Sequence, residues 1–301
     1  MMKNRKLSAP GIKKGFSPLL AVLFILMAVY ALSLITPLVW ALLTSLRHNS
    51  DFYDNMFGLP NPPTIINYAY AYVHFSYQIT NELGRQTIMF PELVSNTVVY
   101  ALGCALMQTV TPYVMAYLVA RFKCKFSSLI MSVVLVCMTI PVVGTMPSEL
   151  AMAHSLSIHD TFWGMFIMRA NFLGMYFLVY VAAIKAISPA FAESAKIDGA
   201  NNFQILCRIY IPMNINTMFT VYLIKFIEYW NEYQVPMLYL PSYPTLSLTL
   251  NQLLVNSNNQ YMSYWVRKLA ACMIVFIPIF ILFVIFNKRV MGNISMGGVK
   301  E

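Results

Sequence analysis

The stretch that decides the fold reads ISPAFAESAKIDGANNFQILCRIYIP and occupies residues 187–212. Ser188-Pro189 predicts a helix start, because proline is favoured at the first helical position. Gly199 predicts the end of that helix in a left-handed or sharp turn. Asn201-Asn202 offers a cap for a second helix that begins near Phe203. The stretch therefore predicts two short helices separated by a bend.

Long apolar stretches flank this segment on both sides. Of the 301 residues, 59% are hydrophobic and only 10% are charged, whereas soluble domains have about 25% charged residues. Six stretches are long enough to cross the roughly 30 Å hydrocarbon core of a bilayer, namely 17–44, 92–120, 127–147, 161–186, 214–235 and 268–287. The sequence therefore predicts an all-α, polytopic membrane protein with six transmembrane helices, in which residues 187–212 connect helices 4 and 5.

The basic residues indicate the orientation of the spans. With the N-terminus in the cytoplasm, the inner segments hold fourteen of the twenty Lys and Arg residues. The outer segments hold only Arg47, Arg85, Arg267 and Lys268. This distribution follows the positive-inside rule, so both termini are predicted to be cytoplasmic. The net charge of +9 is assigned to this rule and not to nucleic-acid binding.

The predicted organisation has three parts. Residues 1–16 form a basic cytoplasmic tail, residues 17–290 the transmembrane permease domain, and residues 291–301 a cytoplasmic C-terminal tail. Within the central part, a long aromatic-rich outer loop covers about 45–91.

Residues 187–212 resemble the EAA loop of ABC importer permeases. The family pattern is E-A-A, three residues, G, nine residues, I, one residue, L-P. Glu193-Ser194-Ala195, Gly199, Ile209 and Ile211-Pro212 keep that spacing, with Ser in place of Ala and Ile in place of Leu. Further similarity lies in Asn96-Thr97, Ala116–Arg121, Phe226–Asn231 and the C-terminal Gly292–Lys300, which is similar to the tail of the carbohydrate (maltose MalG-like) branch.

The resemblance implies a function and a set of partners. The chain is expected to be a permease subunit that carries a sugar or oligosaccharide across the cytoplasmic membrane by alternating access. The implied partners are a second permease in a heterodimer, two ABC ATPase subunits and an extracellular solute-binding protein. A P-loop needs Gly directly before Lys, and the sequence contains no such pair. The chain is therefore expected to have no ATP site and no enzymatic activity, with ATP and Mg²⁺ bound by the ATPase.

The resemblance also implies which residues couple transport to ATP hydrolysis, namely Glu193, Ser194, Ala195, Asp198, Gly199, Ile209 and Pro212. Glu193 is expected to make a polar contact with an arginine of the ATPase, and Gly199 to set the bend. Asp198 either caps the second helix or contacts the partner. Ala195 either supports the helix or packs closely on the partner. Gly297-Gly298 in the C-terminal tail either reaches the ATPase or belongs to a disordered terminus.

A second group of residues marks a possible substrate path. Lys225, Glu228 and Glu232 recur at i, i+3 and i+7 and share one helical face. Ionisable groups at membrane depth usually face the bundle interior or a water-filled cavity. They either line the path or pair with the other permease. Trp230 and Asn231 suit a sugar, although Trp230 also fits an interfacial anchor. Arg169 with Asn171 in the fourth span poses the same question.

Other functions remain as alternatives. An ABC permease for a peptide, an amino acid or another polar solute would share the EAA loop, whereas an ATP-independent transporter would not need it. An embedded hydrolase should carry histidine in a span, but His48, His74, His154 and His159 all fall in outer loops. The spacing of His154, His159 and Asp160 matches no common metal site, so no metal is expected. The five cysteines are expected to be free thiols.

Overall fold

A computed structural model describes residues 18–81, 84–122, 125–140, 144–255 and 260–294 of the chain. The predicted basic tail 1–16 and the Gly297-Gly298 tail lie outside the described residues. The fold is mostly helical, with α1 Pro18–Ser45, α2 Asn49–Asp54, α3 Ile66–His74, α4 Phe90–Arg121, α5 Lys125–Thr139, α6 Met146–Ser155, α7 Phe162–Arg169, α8 Met175–Ala186, α9 Pro189–Ile197, α10 Asn202–Ile205, α11 Ile211–Asn231, α12 Gln234–Tyr239, α13 Leu246–Val255 and α14 Trp265–Ile294. A π-helical turn, Leu206–Tyr210, joins α10 to α11, and a 3₁₀ turn, Gln260–Met262, precedes α14.

Three helices of the described chain are long and apolar enough to cross a bilayer: α1, α4 and the Trp265–Asn287 part of α14. A fourth candidate is the pair α8 and α9, which passes the same test only together and is bent by 67°. Within the expected third span, 127–147, the described residues form the 15-residue helix α5 and the start of α6 at Met146. In the described part of the chain, uninterrupted apolar helices are thus fewer than the six predicted stretches.

The expected fourth span, 161–186, is broken in the structure. Helix α7 ends at Arg169 and α8 begins at Met175. Within the break, the side-chain oxygen of Asn171 accepts a hydrogen bond from the Leu173 N–H at 2.6 Å. An asparagine that binds nearby backbone N–H groups competes with helix formation, and Gly174 further weakens the helix. The Asn171 hydrogen bond and Gly174 therefore interrupt the helix, although the stretch is mostly apolar along its whole length.

The outer loop contains a β-hairpin, which corrects the all-α prediction. Strand β1, Tyr77–Asn81, pairs antiparallel with β2, Gly84–Ile88, in a register that places Tyr77 opposite Ile88. A two-stranded hairpin is marginal alone in water. Here Ile79 and Ile88 are buried in the core cluster that contains Tyr229 and Trp230, and Gly84 has φ +115°, which glycine adopts without strain. Tertiary packing therefore stabilises the hairpin.

Helix α4 lies at the centre of the fold and packs against α11, α8 and α7. Its N-terminal half joins a core cluster with Tyr229 and Trp230, and its C-terminal half joins a second cluster with Tyr180 and Tyr210. Helix α1, in contrast, has no buried residue in its most apolar window and packs on α14. Such a surface is expected of a helix that faces lipid or another subunit.

Candidate functional site

The first helix of the 187–212 segment forms as its sequence signals predict. Ser188 is the N-cap, and its hydroxyl accepts a hydrogen bond from the Ala190 N–H at 3.4 Å. At the other end, the Ala200 N–H donates to the Ala195 carbonyl at 2.9 Å and the Gly199 N–H to the Lys196 carbonyl at 3.1 Å. These two bonds form a Schellman motif, which requires a left-handed residue after the cap. Gly199 supplies it, with φ +82°.

The second helix begins with a capping box. The Asn201 side chain accepts a hydrogen bond from the Gln204 N–H at 2.8 Å, and the Gln204 side chain accepts one from the Asn201 N–H at 2.8 Å. Asp198 instead occupies the C-cap of α9. The interpretation of Asp198 as the cap of the second helix is therefore wrong. Pro212, at the start of α11, has no N–H to donate to the preceding turn, and the π-helical turn lies directly before this helix start.

Aromatic hydroxyl groups of α4 fix the 187–212 segment to the helical bundle. The Tyr113 hydroxyl donates to the Tyr210 carbonyl at 2.7 Å, and the Tyr117 hydroxyl donates to the Asn202 carbonyl at 3.2 Å. The Asn214 side chain also donates to the Tyr210 carbonyl, at 3.1 Å. Three side chains thus bind backbone carbonyls at the π-helical turn and at the start of α10.

Arg121 also attaches α4 to the start of the segment and to the end of α8. Its Nη2 atom donates to the Ile184 carbonyl at 2.8 Å and to the Ile187 carbonyl at 2.7 Å, at the end of α8. Its guanidinium carbon lies 4.5 Å from the centre of the Tyr210 ring. Burial raises the pKa of Tyr210, and the Arg121 cation opposes that shift. In the sequence, Arg121 stands out only as a basic residue of an inner segment and as the end of the family-like stretch Ala116–Arg121, and neither signal predicts this structural role.

A cleft of about 320 Å³ separates α9 from the end of α4. Six of its lining residues are Tyr117, Arg121, Glu193, Lys196, Asn202 and Tyr210. Glu193 therefore lies at the edge of a polar space and is itself exposed.

The coupling residues predicted from the sequence fall into two groups in the structure. Glu193, Ser194, Asp198, Gly199 and Pro212 are exposed. Ala195 and Ile209 are half-buried and pack against the core cluster of their own chain that contains Tyr180 and Tyr210. In this conformation Ala195 packs against its own chain, which favours the structural interpretation of that residue.

Three large apolar side chains of the segment are exposed, a feature that the sequence analysis did not single out. The exposed fraction is 53% for Phe191, 88% for Ile197 and 71% for Phe203. They lie on α9 and α10, on either side of the Gly199 bend. Exposed apolar groups beside exposed charges are typical of protein interaction surfaces.

The structure brings Lys225 and Glu228 together but separates them from Glu232. Lys225 Nζ lies 2.8 Å from Glu228 Oε2, and the two side chains are 13% and 55% exposed. Lys225 Nζ also lies 5.1 Å from the centre of the Tyr176 ring on α8. Glu232 instead accepts a hydrogen bond from the Gln234 N–H at 2.8 Å and caps α12. The ion pair forms within α11, and a role of these residues in a substrate path or in a contact with the second permease stays a prediction.

Trp230 and Asn231 make contacts within the chain. The Trp230 indole N–H donates to the Val275 carbonyl on α14 at 3.1 Å, and this side chain is only 5% exposed. The interpretation of Trp230 as an interfacial anchor is therefore wrong for this conformation. The Asn231 side chain donates to the Ile227 carbonyl at 2.8 Å and is exposed. A role of these residues in a substrate path stays a prediction.

The outer-loop histidines His154 and His159 stack on each other with ring centres 3.9 Å apart. His159 Nε2 lies 3.0 Å from the Leu238 carbonyl oxygen. The four described cysteines, Cys104, Cys137, Cys207 and Cys272, are free thiols, as the sequence analysis predicted for them.

These features define a polytopic helical membrane protein. It has several apolar helices, a span broken between α7 and α8, and a bent pair of helices, α8 and α9, bonded to α4 through Arg121. Solved structures show the same fold. A bacterial ABC transporter involved in the import of the acidic polysaccharide alginate contains a chain that matches with a TM-score of 0.75 at 21% identity, over 93% of this chain and 99% of that chain. A bacterial alginate ABC transporter in complex with an alginate pentasaccharide-bound periplasmic protein matches with a TM-score of 0.56 at 16% identity, over 90% and 94%.

Residues 109–294 match the family described as the binding-protein-dependent transport system inner membrane component, and the chain belongs to this family. Among its relatives is the sulfoquinovosyl glycerol transport system permease protein SmoH of Agrobacterium fabrum, 24% identical over 97% of this chain and 98% of the relative. The multiple sugar-binding transport system permease protein MsmG of Streptococcus mutans is 25% identical over 92% and 96%. The chain is therefore a multi-pass membrane transport subunit, as its EAA loop predicted, and not a catalytic enzyme.

Proposed function

We propose that this chain is a permease subunit of an ATP-driven importer that carries a sugar or oligosaccharide across the cytoplasmic membrane by alternating access. Relatives that match along almost the whole chain transport sulfoquinovosyl glycerol or multiple sugars. The alginate transporter of similar fold was solved with a saccharide-bound periplasmic protein. These relatives favour a saccharide over the peptide and amino-acid alternatives, and a solute-binding protein as the partner that delivers it.

The proposed topology has six spans with both termini in the cytoplasm. Helices α1, α4 and α14 supply three spans, α5 and α11 two more, and α7 with α8 form one span that is interrupted at 170–174. Interrupted spans are tolerated where the irregular backbone is buried in protein or lines a cavity. The 67° bend between α8 and α9 turns the chain at the proposed inner surface of the membrane.

The 187–212 segment is the proposed coupling element, and its exposed apolar surface beside the Gly199 bend is the observation that carries this assignment. Covering a large apolar side chain contributes about 1.5–3 kcal/mol, so Phe191, Ile197 and Phe203 would stabilise contact with an ATPase subunit substantially. Glu193 is the proposed polar contact at the same surface. Because Arg121 and the tyrosines of α4 fix the segment to the bundle, movement of the segment moves α4.

ATP and Mg²⁺ are assigned to the ATPase subunits and not to this chain. A Gly-Lys pair, which a P-loop requires, does not occur in the sequence. The proposed complex therefore contains a second permease, two ATPase subunits and an extracellular solute-binding protein. The exposed surface of α1 is available to lipid and to the second permease.

A matched pair of substitutions tests the coupling assignment. Ile197 on α9 and Ile65 in the outer loop are 88% and 77% exposed, so a charge at either position costs the fold little. We expect Ile197→Glu to abolish co-purification of the ATPase with this chain, and Ile65→Glu to leave it unchanged. Both variants should reach the membrane in equal amounts. A chain that purifies alone and transports sugar in liposomes without ATP would contradict the proposed function.

A further inference from the structure

Arg169 lies at the break in the fourth span, at the last position of α7. Its charge interacts electrostatically with Tyr100 and Cys104 on α4 and with Tyr229 on α11. Its guanidinium carbon lies 6.0 Å from the centre of the Tyr239 ring on α12. Three elements, α4, α11 and α12, thus surround this cation at the point where the span loses its helical backbone.

The charged groups around Arg169 have other partners. Lys225 and Glu228 pair with each other at 2.8 Å, and Glu232 caps α12. Glu149 on α6 accepts from the Tyr239 hydroxyl at 3.4 Å. Among the described residues, no carboxylate lies within 4.0 Å of Arg169, and its buried Nε atom has no hydrogen-bond acceptor.

An unpaired cation at this depth is costly. A charged side chain within a membrane span is unfavourable without a partner, and a buried donor without an acceptor is destabilising as well. The Tyr100 side chain is fully buried, and its hydroxyl also lacks a partner in the described part of the chain. The two unsatisfied polar groups lie on helices that pack together, α7 and α4, and an anion with several acceptor oxygens would satisfy both.

We propose that Arg169 binds an acidic group of the transported saccharide at the helix break, so that the physiological cargo carries a carboxylate or an equivalent oxyanion. This inference rests on the proposed import function. Guanidinium forms two parallel hydrogen bonds with a carboxylate, which gives selectivity as well as affinity. The Tyr100 hydroxyl contributes a further hydrogen bond, and the aromatic faces of Tyr229 and Tyr239 suit the apolar C–H faces of a sugar ring.

Selective transport by the complete importer tests this proposal. The importer, with its second permease, ATPase subunits and solute-binding protein, is reconstituted in liposomes. One probe is a disaccharide with a uronic acid, and the other is the same disaccharide with its carboxyl reduced to an alcohol. We compare wild type with Arg169→Gln, with the charge-conserving Arg169→Lys, and with the control Arg267→Gln. Arg267 lies outside the proposed site, with its guanidinium carbon 3.7 Å from the Tyr70 ring.

We expect Arg169→Gln to lower uptake of the acidic probe at least tenfold, through KM, and uptake of the neutral probe by less than twofold. Arg169→Lys should retain part of the uptake of the acidic probe. Arg267→Gln should change the uptake of the acidic and the neutral probe by the same factor. Equal loss of both probes, or loss of the assembled complex, would show that Arg169 pairs with the second permease and would overturn the proposal. Wild type that carries only the neutral probe would overturn it too. Wild type that carries neither probe would refute the proposed function itself.

Discussion

Substitution of Gly199 separates the role of backbone conformation from that of side-chain size. Gly199 has φ +82°, and a Cβ atom built at this position meets no atom within 4 Å. A larger side chain therefore has room in the isolated chain, and the cost of substitution comes from the left-handed backbone. That cost is about 1–2 kcal/mol for an ordinary residue and is greater for a β-branched one. Asparagine tolerates the same conformation and is the matched control.

The expected effect follows from this free energy. Gly199→Val favours loss of the Schellman bonds to Ala195 and Lys196, and with them the bend between α9 and α10. A penalty of about 1–2 kcal/mol lowers the population of the bent form relative to the straightened one by a factor of about 5–30. We therefore expect solute uptake per ATP hydrolysed to fall in Gly199→Val by a factor in this range. Gly199→Asn should stay within about twofold of wild type.

The assay is solute uptake and ATP hydrolysis measured in the same liposomes that contain the reconstituted importer. Equal amounts of each variant in the membrane serve as the control for insertion. Unchanged uptake per ATP in Gly199→Val would refute the coupling role of the bend. Equal losses in Gly199→Val and Gly199→Asn would refute the backbone explanation and would indicate a collision of the side chain with the ATPase.

Two further substitutions test how the segment is held. Arg121→Ala removes two charge-assisted hydrogen bonds, each typically worth about 1.5–3 kcal/mol. Trypsin should therefore cleave faster at Lys196 in Arg121→Ala, and at an intermediate rate in Arg121→Lys. An unchanged cleavage rate would contradict the anchoring role. Asn201→Ala removes the helix cap at a cost of about 0.5–2 kcal/mol. Amide hydrogen exchange across α10 should therefore accelerate severalfold in Asn201→Ala and stay unchanged in Asn202→Ala. Equal acceleration in both variants would argue against the capping box.

The two short helices α9 and α10, with the bend between them, could be predicted from the sequence because the residues that determine them act locally. The Ser188 cap, the Gly199 turn and the Asn201 cap each act within a few residues, and each forms the expected hydrogen bond. The role of Arg121 could not be predicted in this way, because its acceptors Ile184 and Ile187 are 63 and 66 positions away in the chain. Cation counts detect such a residue but do not identify its partners.

The broken fourth span shows where hydropathy alone is insufficient. The stretch 161–186 is apolar throughout, but helix continuity depends on hydrogen bonds made by Asn171 and on Gly174. The Tyr77–Ile88 hairpin was missed for a related reason. Its alternating pattern is short, and its stability comes from burial of Ile79 and Ile88 against distant helices. The burial of Trp230 likewise depends on the Val275 carbonyl of α14.

Helix α4 connects the proposed coupling element to the outer surface. At its inner end Arg121 binds the 187–212 segment. At its outer end the Asn96 side chain donates to the Pro244 carbonyl at 3.2 Å, and the Thr97 hydroxyl accepts from the Leu246 N–H at 2.8 Å. The whole helix has 32 residues and spans about 48 Å, of which the part between Thr97 and Arg121 spans about 36 Å.

If α4 is rigid, movement of the 187–212 segment is therefore transmitted through α4 to residues 244–246. If α4 bends, the movement is not transmitted in full. Pro112 lies inside α4 and cannot donate a backbone hydrogen bond, so this position is where the helix bends most easily. Tyr100 and the Arg169 break lie on the outer side of Pro112, whereas Tyr113 and Arg121 lie on the inner side. A bend at Pro112 would shift the position of the proposed solute site relative to the coupling segment. A rigid α4 would move the two together as one body.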